Sequence, residues 1–382
     1  MKVSAVREIL KLTEQPEIIS FAGGLPAPEL FPVDAVARAH AEVFAETGAA
    51  ALQYSTTEGW LPLREWVAAH LNRRGISAHA KRLLITSGSQ QGIDLVGRIF
   101  LDIGDEVIVE NPCYLAALQS FSAYEARFIA IDSDDEGIRV DQVESALDRS
   151  RPKLIYIVSD FHNPKGTSLT LERRRQLVSL AARHRVPILE DDPYGELRYR
   201  GEPIPTLASL DDSGSVVYIG TASKTLSPGM RIGWVSASEE IIRALILVKQ
   251  ASDLHTSTIE QRAAARLLER FEYQEHVNHL SNVYSARCST MLNALEQHFP
   301  EGSRWTTPEG GLFLWVELPE QVSGEELLRD ALEEKVAFVP GAPFFAANPR
   351  HNFIRLNFSN SSPERIAKGV RRIGEVLKRR LA

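Results

Sequence analysis

From about residue 82 the chain alternates short β-branched apolar runs with segments of helical period, and few folds accept that alternation. The predicted strands are Leu83 to Thr86, Val107 to Glu110, Arg127 to Ile131, Leu154 to Val158, Pro187 to Glu190, Val216 to Gly220 and Ile232 to Ser236. Helix-period segments such as Gln90 to Leu101, Asp141 to Arg149 and Leu171 to Arg185 lie between several of them, so the economical arrangement is crossover βα units on a mainly parallel sheet. Residues 239 to 298 read almost entirely as helix. Strand candidates Phe313 to Leu318, Val336 to Val339 and Phe353 to Phe358, with helices Gly324 to Glu334 and Pro363 to Arg380, then describe a smaller unit. The expected fold class is α/β, a large domain on a mainly parallel sheet with a smaller α+β domain. The expected division is an N-terminal helix and arm over 1–45 packing with the small domain, a large domain over 46–276 and a small domain over 277–382.

Composition narrows the function classes. Lys and Arg number 43 against 50 Asp and Glu, a formal charge of −7, so no basic excess is available to neutralise a nucleic-acid backbone. Cys113 and Cys288 are the two cysteines and form no C-x-x-C pair, which supports neither a disulfide framework nor a zinc ribbon and fits a reducing cytoplasm. The first residues space Val6, Ile9, Leu10 and Leu12 like a helix face and show no signal-peptide pattern. Apolar runs such as Ala244 to Val248 fall far short of the roughly 20 residues that cross a bilayer. His276 and His279 share a helix face without an evident third ligand, so no metal is expected.

In open parallel sheets ligands sit beyond the carboxyl ends of the strands, and four such ends carry polar residues. Leu83 to Thr86 runs into Ser87-Gly88-Ser89-Gln90-Gln91 and a helix, whose first N–H groups and dipole form an anion seat; a helix capped by Ser87 or Ser89 is the alternative. Asn163, in His162-Asn163-Pro164-Lys165-Gly166, follows the strand ending at Val158, where a plain turn would also suit. Glu190-Asp191-Asp192 ends another strand, and a buried carboxylate there, Asp191 or Asp192, needs a cation such as a protonated ring nitrogen. Thr221-Ala222-Ser223-Lys224, with Arg231, follows Val216 to Gly220 and offers a Schiff-base nucleophile flanked by phosphate donors. Each feature alone has a structural explanation. Together, an anion seat, an acid for a pyridinium, an oxygen-binding Asn and a nucleophilic lysine describe one ligand, pyridoxal phosphate.

The same stretches carry a family resemblance. FAGGLPAPELFP at Phe21 to Pro32, QYSTTEGWLPLR at Gln53 to Arg64, TSGSQQGIDL at Thr86 to Leu95 and NPCY at Asn111 to Tyr114 are followed by four more in order. These are NPKG at Asn163 to Gly166, EDDPYGEL at Glu190 to Leu197, SKTLSPGMRIGW at Ser223 to Trp234 and FIRLNFS at Phe353 to Ser359. Over nearly its whole length the chain resembles fold-type-I, class I/II aminotransferases, within them the 2-aminoadipate, kynurenine and aromatic aminotransferase subgroup.

The resemblance implies that Lys224 links covalently to the cofactor, that Asp191 pairs with the pyridinium nitrogen, and that Asn163 and Tyr194 bond the phenolic oxygen. It implies that Tyr114 stacks on the ring, that Ser89, Gln90, Thr221, Ser223 and Arg231 hold the phosphate, and that Tyr54 reaches the phosphate of a neighbouring subunit in a homodimer. Arg355 would grip the substrate α-carboxylate with its two-pronged guanidinium, and Gly24 and Leu25 would line the substrate pocket. Arg7, on the first helix, would meet a distal substrate carboxylate or else pair with a nearby Glu. The implied reaction is ping-pong amino transfer between an α-amino acid and a 2-oxo acid such as 2-oxoglutarate. 2-Aminoadipate, aromatic and branched-chain amino acids, kynurenine and glutamate remain open as donors. A β-lyase or decarboxylase would share the cofactor residues. A sensor domain of a transcription regulator is the further alternative, against which stand the lysine and the lack of room for a DNA-binding module before Ser4.

Overall fold

The computed structural model describes Gln15 and residues 17–382. A short β1 (Ile19–Ser20) precedes β2 (Leu83–Ser87), β3 (Glu106–Asn111), β4 (Arg127–Asp134), β5 (Gly137–Ile138), β6 (Leu154–Ile157), β7 (Ile188–Asp192), β8 (Val216–Thr221) and β9 (Ile232–Ser236). Strands β2 to β9 form one eight-stranded sheet in the order β2-β9-β8-β7-β6-β3-β4-β5. The run β8-β7-β6-β3-β4 is parallel, as crossover helices require. β9 is the departure: it returns antiparallel and wedges between β8 and β2. Its composition, buried at every position, matches that of its parallel neighbours, so the apolar run alone does not carry its direction.

Helices cover both faces. Ser89–Phe100 buries Ile93, Leu95 and Val96 against the sheet, and Gly92 lets it approach closely, since a Cβ there would stand 3.1 Å from Ile219 and Val235. Each fully buried aliphatic side chain of this kind contributes about 1.5–3 kcal/mol. Residues 239–298 form the helices Glu239–Asp253, Thr258–Arg270 and Tyr273–His298, the first two capped by Ser238 and Ser257.

A second, antiparallel sheet joins β10 (Arg304–Trp305), β11 (Phe313–Glu317), β13 (Val339–Pro340) and β14 (Phe353–Asn357) in the order β10-β11-β14-β13. Between β11 and β13 lies β12 (Val336–Ala337), which pairs parallel with β1 through Ile19↔Val336. The segment after β1 continues across this unit: Asn357 donates to the Phe21 carbonyl at 2.9 Å and the Ser359 hydroxyl to the Leu25 carbonyl at 2.7 Å. Among the described residues no helix is long and apolar enough to cross a membrane.

Candidate active site

The carboxyl ends of β3, β6, β7 and β8 converge on one cavity of about 150 Å³. Ser89, Gln90, Tyr114, Asn163, Asp191, Tyr194, Thr221, Ser223, Lys224 and Arg231 line it, together with Val158, Pro193 and Pro228. Larger clefts of about 850 and 770 Å³ open elsewhere. Neither joins a buried, unpaired carboxylate to a lysine, so chemistry rather than volume selects the small cavity.

Alternation along β7 separates its two aspartates. Asp191 points to the cavity face, where its Oδ2 accepts from the Tyr156 hydroxyl at 2.8 Å and its buried Oδ1 has no partner among the described residues. Asp192 points to the other face, where the Arg74 guanidinium at 2.7 Å, the Tyr218 hydroxyl at 2.8 Å and the Gly195 N–H at 2.8 Å satisfy it. Of the two acids, Asp191 is the one that lines the cavity, and Asp192 is satisfied on the opposite face. Burial pushes its carboxyl up to about 7, with the Asp192 charge adding to the rise and the Tyr156 bond and Lys224 opposing it.

Lys224 lies in the turn after β8 and donates to the Gly24 carbonyl at 2.8 Å. Burial lowers its amine to about 8, assisted by the Arg355 and Arg231 cations, so a neutral fraction exists near neutrality. Arg355, in the middle of β14, is buried and has no carboxylate partner among the described residues. It donates to Asn163 Oδ1 at 2.8 Å and to the Ala22 carbonyl at 2.6 Å, its guanidinium stands 4.4 Å from the Phe313 ring centre and 5.1 Å from that of Phe344, and its Nε is unpaired. Burial draws its pKa down to about 10. Burial pushes the Tyr194 hydroxyl upward and Tyr114 up to about 12, so both phenols stay protonated.

The expected anion seat is the start of the helix Ser89–Phe100, whose first turn has no side-chain cap, neither Ser87 nor Ser89 capping it. Its N–H groups therefore remain available. Gly88 takes φ +80°, and a Cβ there would lie 2.4 Å from the Arg231 guanidinium, which donates to the Ser87 carbonyl at 3.1 Å. Gly233 leaves similar room, as its Cβ would come within 2.7 Å of the Ser89 nitrogen. The Thr221 and Ser223 hydroxyls lie 2.9 Å apart beside this seat. Gln90 turns its side chain away, donating to the Ser120 hydroxyl at 2.8 Å, so its contribution to the seat is its backbone N–H.

Four predicted residues lie off the cavity wall. Gly24 touches it through the carbonyl that holds Lys224, Arg355 through Asn163, while Leu25 is 47% and Tyr54 78% exposed. Arg7 lies outside the described residues. The sequence reading did not identify Tyr156, Phe313 or Phe344. Aromatic residues in apolar runs read as core, and the cross-strand register that aims Tyr156 at Asp191 leaves no local signal.

An unpaired buried carboxylate oxygen, a lysine with a lowered pKa, and a seat kept open by glycines beside an arginine fit pyridoxal phosphate at its ring nitrogen, aldehyde and phosphate. Residues 17–373 match the family model for aminotransferase class I and II. The aromatic-amino-acid aminotransferase 1 of Thermococcus litoralis is 44% identical across 99% of this chain and 92% of its own. The structure of a kynurenine aminotransferase from Pyrococcus horikoshii superposes with a TM-score of 0.95 at 43% identity, covering 100% of this chain and 96% of that one. That of an alpha-aminoadipate aminotransferase from Thermus thermophilus, complexed with N-(5'-phosphopyridoxyl)-L-leucine, gives 0.94 at 41%, covering 100% and 96%. The chain belongs to the class I and II aminotransferase family. It is a pyridoxal-phosphate-dependent aminotransferase of fold type I.

Proposed function

We propose that this enzyme transfers the amino group of an α-amino acid with a large side chain, 2-aminoadipate, aromatic or branched-chain, or of glutamate, to a 2-oxo acid such as 2-oxoglutarate, by alternating half-reactions. The observation that carries the reading is Arg355, a buried guanidinium held by neutral partners and two aromatic rings. A buried cation of this kind favours an anion arriving with the substrate, and its planar fork suits an α-carboxylate. A substrate gripped there keeps its carboxylate, which favours amino transfer over decarboxylation.

In this assignment the first turn of the helix Ser89–Phe100, with Thr221, Ser223 and Arg231, holds the phosphate. Asp191 would keep the ring nitrogen protonated, Asn163 and Tyr194 would bind the phenolic oxygen, and Tyr114 would pack against the ring. When bound, the cofactor supplies the electron sink for the carbanion at the substrate Cα. Lys224 is the attachment point, and its Nζ, once free, takes the proton from Cα; an amine lowered to about 8 can serve as this base near neutral pH. Gly24 and Leu25 border the substrate side, and Arg7 is assigned to a distal substrate carboxylate.

Tyr54, which is 78% exposed, is assigned to the phosphate of a second subunit, making the working unit a homodimer. The unpaired, buried thiols of Cys113 and Cys288 favour a cytoplasmic setting. A large domain over 46–276 and a small one over 277–382 make up this enzyme, the described part of 1–45 serving the latter. An amino-donor screen with 2-oxoglutarate as acceptor tests the proposal: glutamate should form with one or more of the named donors. Carbon dioxide or ammonia released in its place would point to a decarboxylase or lyase.

A further inference from the structure

We infer that Tyr156 is a positioning residue for the cofactor, its hydroxyl fixing the Asp191 carboxylate so that Oδ1 faces the ring nitrogen. The inference rests on the assignment of Asp191 made above. Tyr156 is the third residue of β6 and is wholly buried, its ring held edge-on by Phe121 at 5.7 Å. Leu189 is its partner across the ladder, so Asp191, two residues on, lies diagonally opposite on the same face. The hydroxyl donates to Oδ2 at 2.8 Å, and Oδ1 is left without a partner. Asp191 lines the cavity and Tyr156 does not.

A carboxyl group turns broadly about its last torsion, and one fixed donor on one oxygen selects the orientation. The same bond favours the charged form of Asp191 against the burial that opposes it. The titratable groups around Asp191 are Tyr156 on β6, Cys113 and Tyr114 after β3, Asp192 and Tyr194 along its own strand and exit, and Lys224 after β8. Among the described residues Tyr156 is the one that donates a hydrogen bond to it. Burial and the neighbouring carboxylate hold the Tyr156 phenol far above its ordinary pKa, so it remains a donor throughout the working range.

Holoenzyme loaded with pyridoxal phosphate isotopically labelled at the ring nitrogen tests this, because the chemical shift of that nitrogen reports its protonation. Tyr156→Phe keeps the ring and its packing on Phe121 and removes only the hydroxyl. The shift should stay at the protonated value in the wild type and move toward that of neutral pyridine in Tyr156→Phe. Cofactor affinity and kcat should fall about tenfold, the lower end for a hydrogen bond to a charged group, while KM for the amino donor holds. In an Asp191→Asn background Tyr156→Phe should add nothing. Phe121→Leu, which loosens the packing and keeps the hydroxyl, should leave the shift in place. An unmoved shift in Tyr156→Phe, or equal losses in both backgrounds, would overturn the inference while leaving Asp191 assigned. An unmoved shift in Asp191→Asn would overturn the assignment of Asp191 itself.

Discussion

Replacing Asp191 with Asn should stabilise the cofactor-free protein while disabling the enzyme. Burial raises this carboxyl from 3.8 to about 7. In the unfolded chain it ionises near its ordinary value. Between about pH 4 and about pH 7 the unfolded chain has therefore released a proton that the folded chain retains, so stability falls as pH rises through that window and stays reduced above it. That rise in the carboxyl's pKa sets a ceiling of about 4 kcal/mol. The amide of Asp191→Asn does not titrate and keeps an oxygen for the Tyr156 hydroxyl, so the variant escapes this cost. With an unfolding entropy of about 2 cal/mol/K per residue, a chain of this length converts the ceiling into about 5 °C of Tm. Calorimetry of cofactor-stripped wild type and variant should find coincident Tm values near pH 4 and a gap of about 3–5 °C near pH 8. Adding pyridoxal phosphate should reverse the order, because only the carboxylate gains a pyridinium partner. A gap that is absent near pH 8, or that narrows as pH rises, would refute the burial argument.

Lys224→Ala should abolish covalent cofactor attachment and turnover; a retained covalent link, read by mass spectrometry, would sink the assignment. Asp192→Asn should cost about 3 kcal/mol of stability by weakening the Arg74 pair, yet leave the cofactor's absorbance nearly unchanged. A larger rate loss in Asp192→Asn than in Asp191→Asn would show that the roles are exchanged. Gly88→Ala should weaken cofactor binding in equilibrium titration by tenfold or more, since φ +80° and a guanidinium 2.4 Å from the new Cβ both resist it. Arg7→Ala should raise KM for 2-aminoadipate, glutamate and 2-oxoglutarate far more than for leucine or phenylalanine; equal losses on both classes would refute its assignment to a distal carboxylate.

Strand positions were legible where β-branched runs give way to polar residues: Ile232–Ser236 spans the residues that its composition predicts. β7 extends through Asp192, beyond the apolar run, because its ladder with β8 continues through Asp191↔Ile219 and Asp192↔Gly220. A sequence pattern does not show that continuation, since two successive acids ordinarily mark an exit to solvent. Here each acid is met by a tyrosine from a different neighbouring strand, Tyr156 on one face and Tyr218 on the other. Pairing across strands is a property of register, which is why the strand-end acids were visible and their partners were not. Gln90 makes a related point: its position marks the seat, while the direction of its side chain depends on the helix Leu115–Ser122 beside it.

The antiparallel return of β9 has a mechanical consequence. Lys224 and Arg231 lie in the single loop that joins β8 to β9, and β9 pairs with β2, which leads into the anion seat. The anchors assigned to the cofactor's aldehyde and phosphate therefore ride on one hydrogen-bonded frame, whose spacing is set by neighbouring strands. Arg355 belongs to the other sheet and reaches the large sheet through Asn163, its second bond going to the Ala22 carbonyl of the segment that follows β1. A small shift of one sheet against the other would change the reach from Lys224 to Arg355 and leave the cofactor's own mounting unstretched. Grip on the cofactor and tolerance of different substrate lengths can thus vary independently.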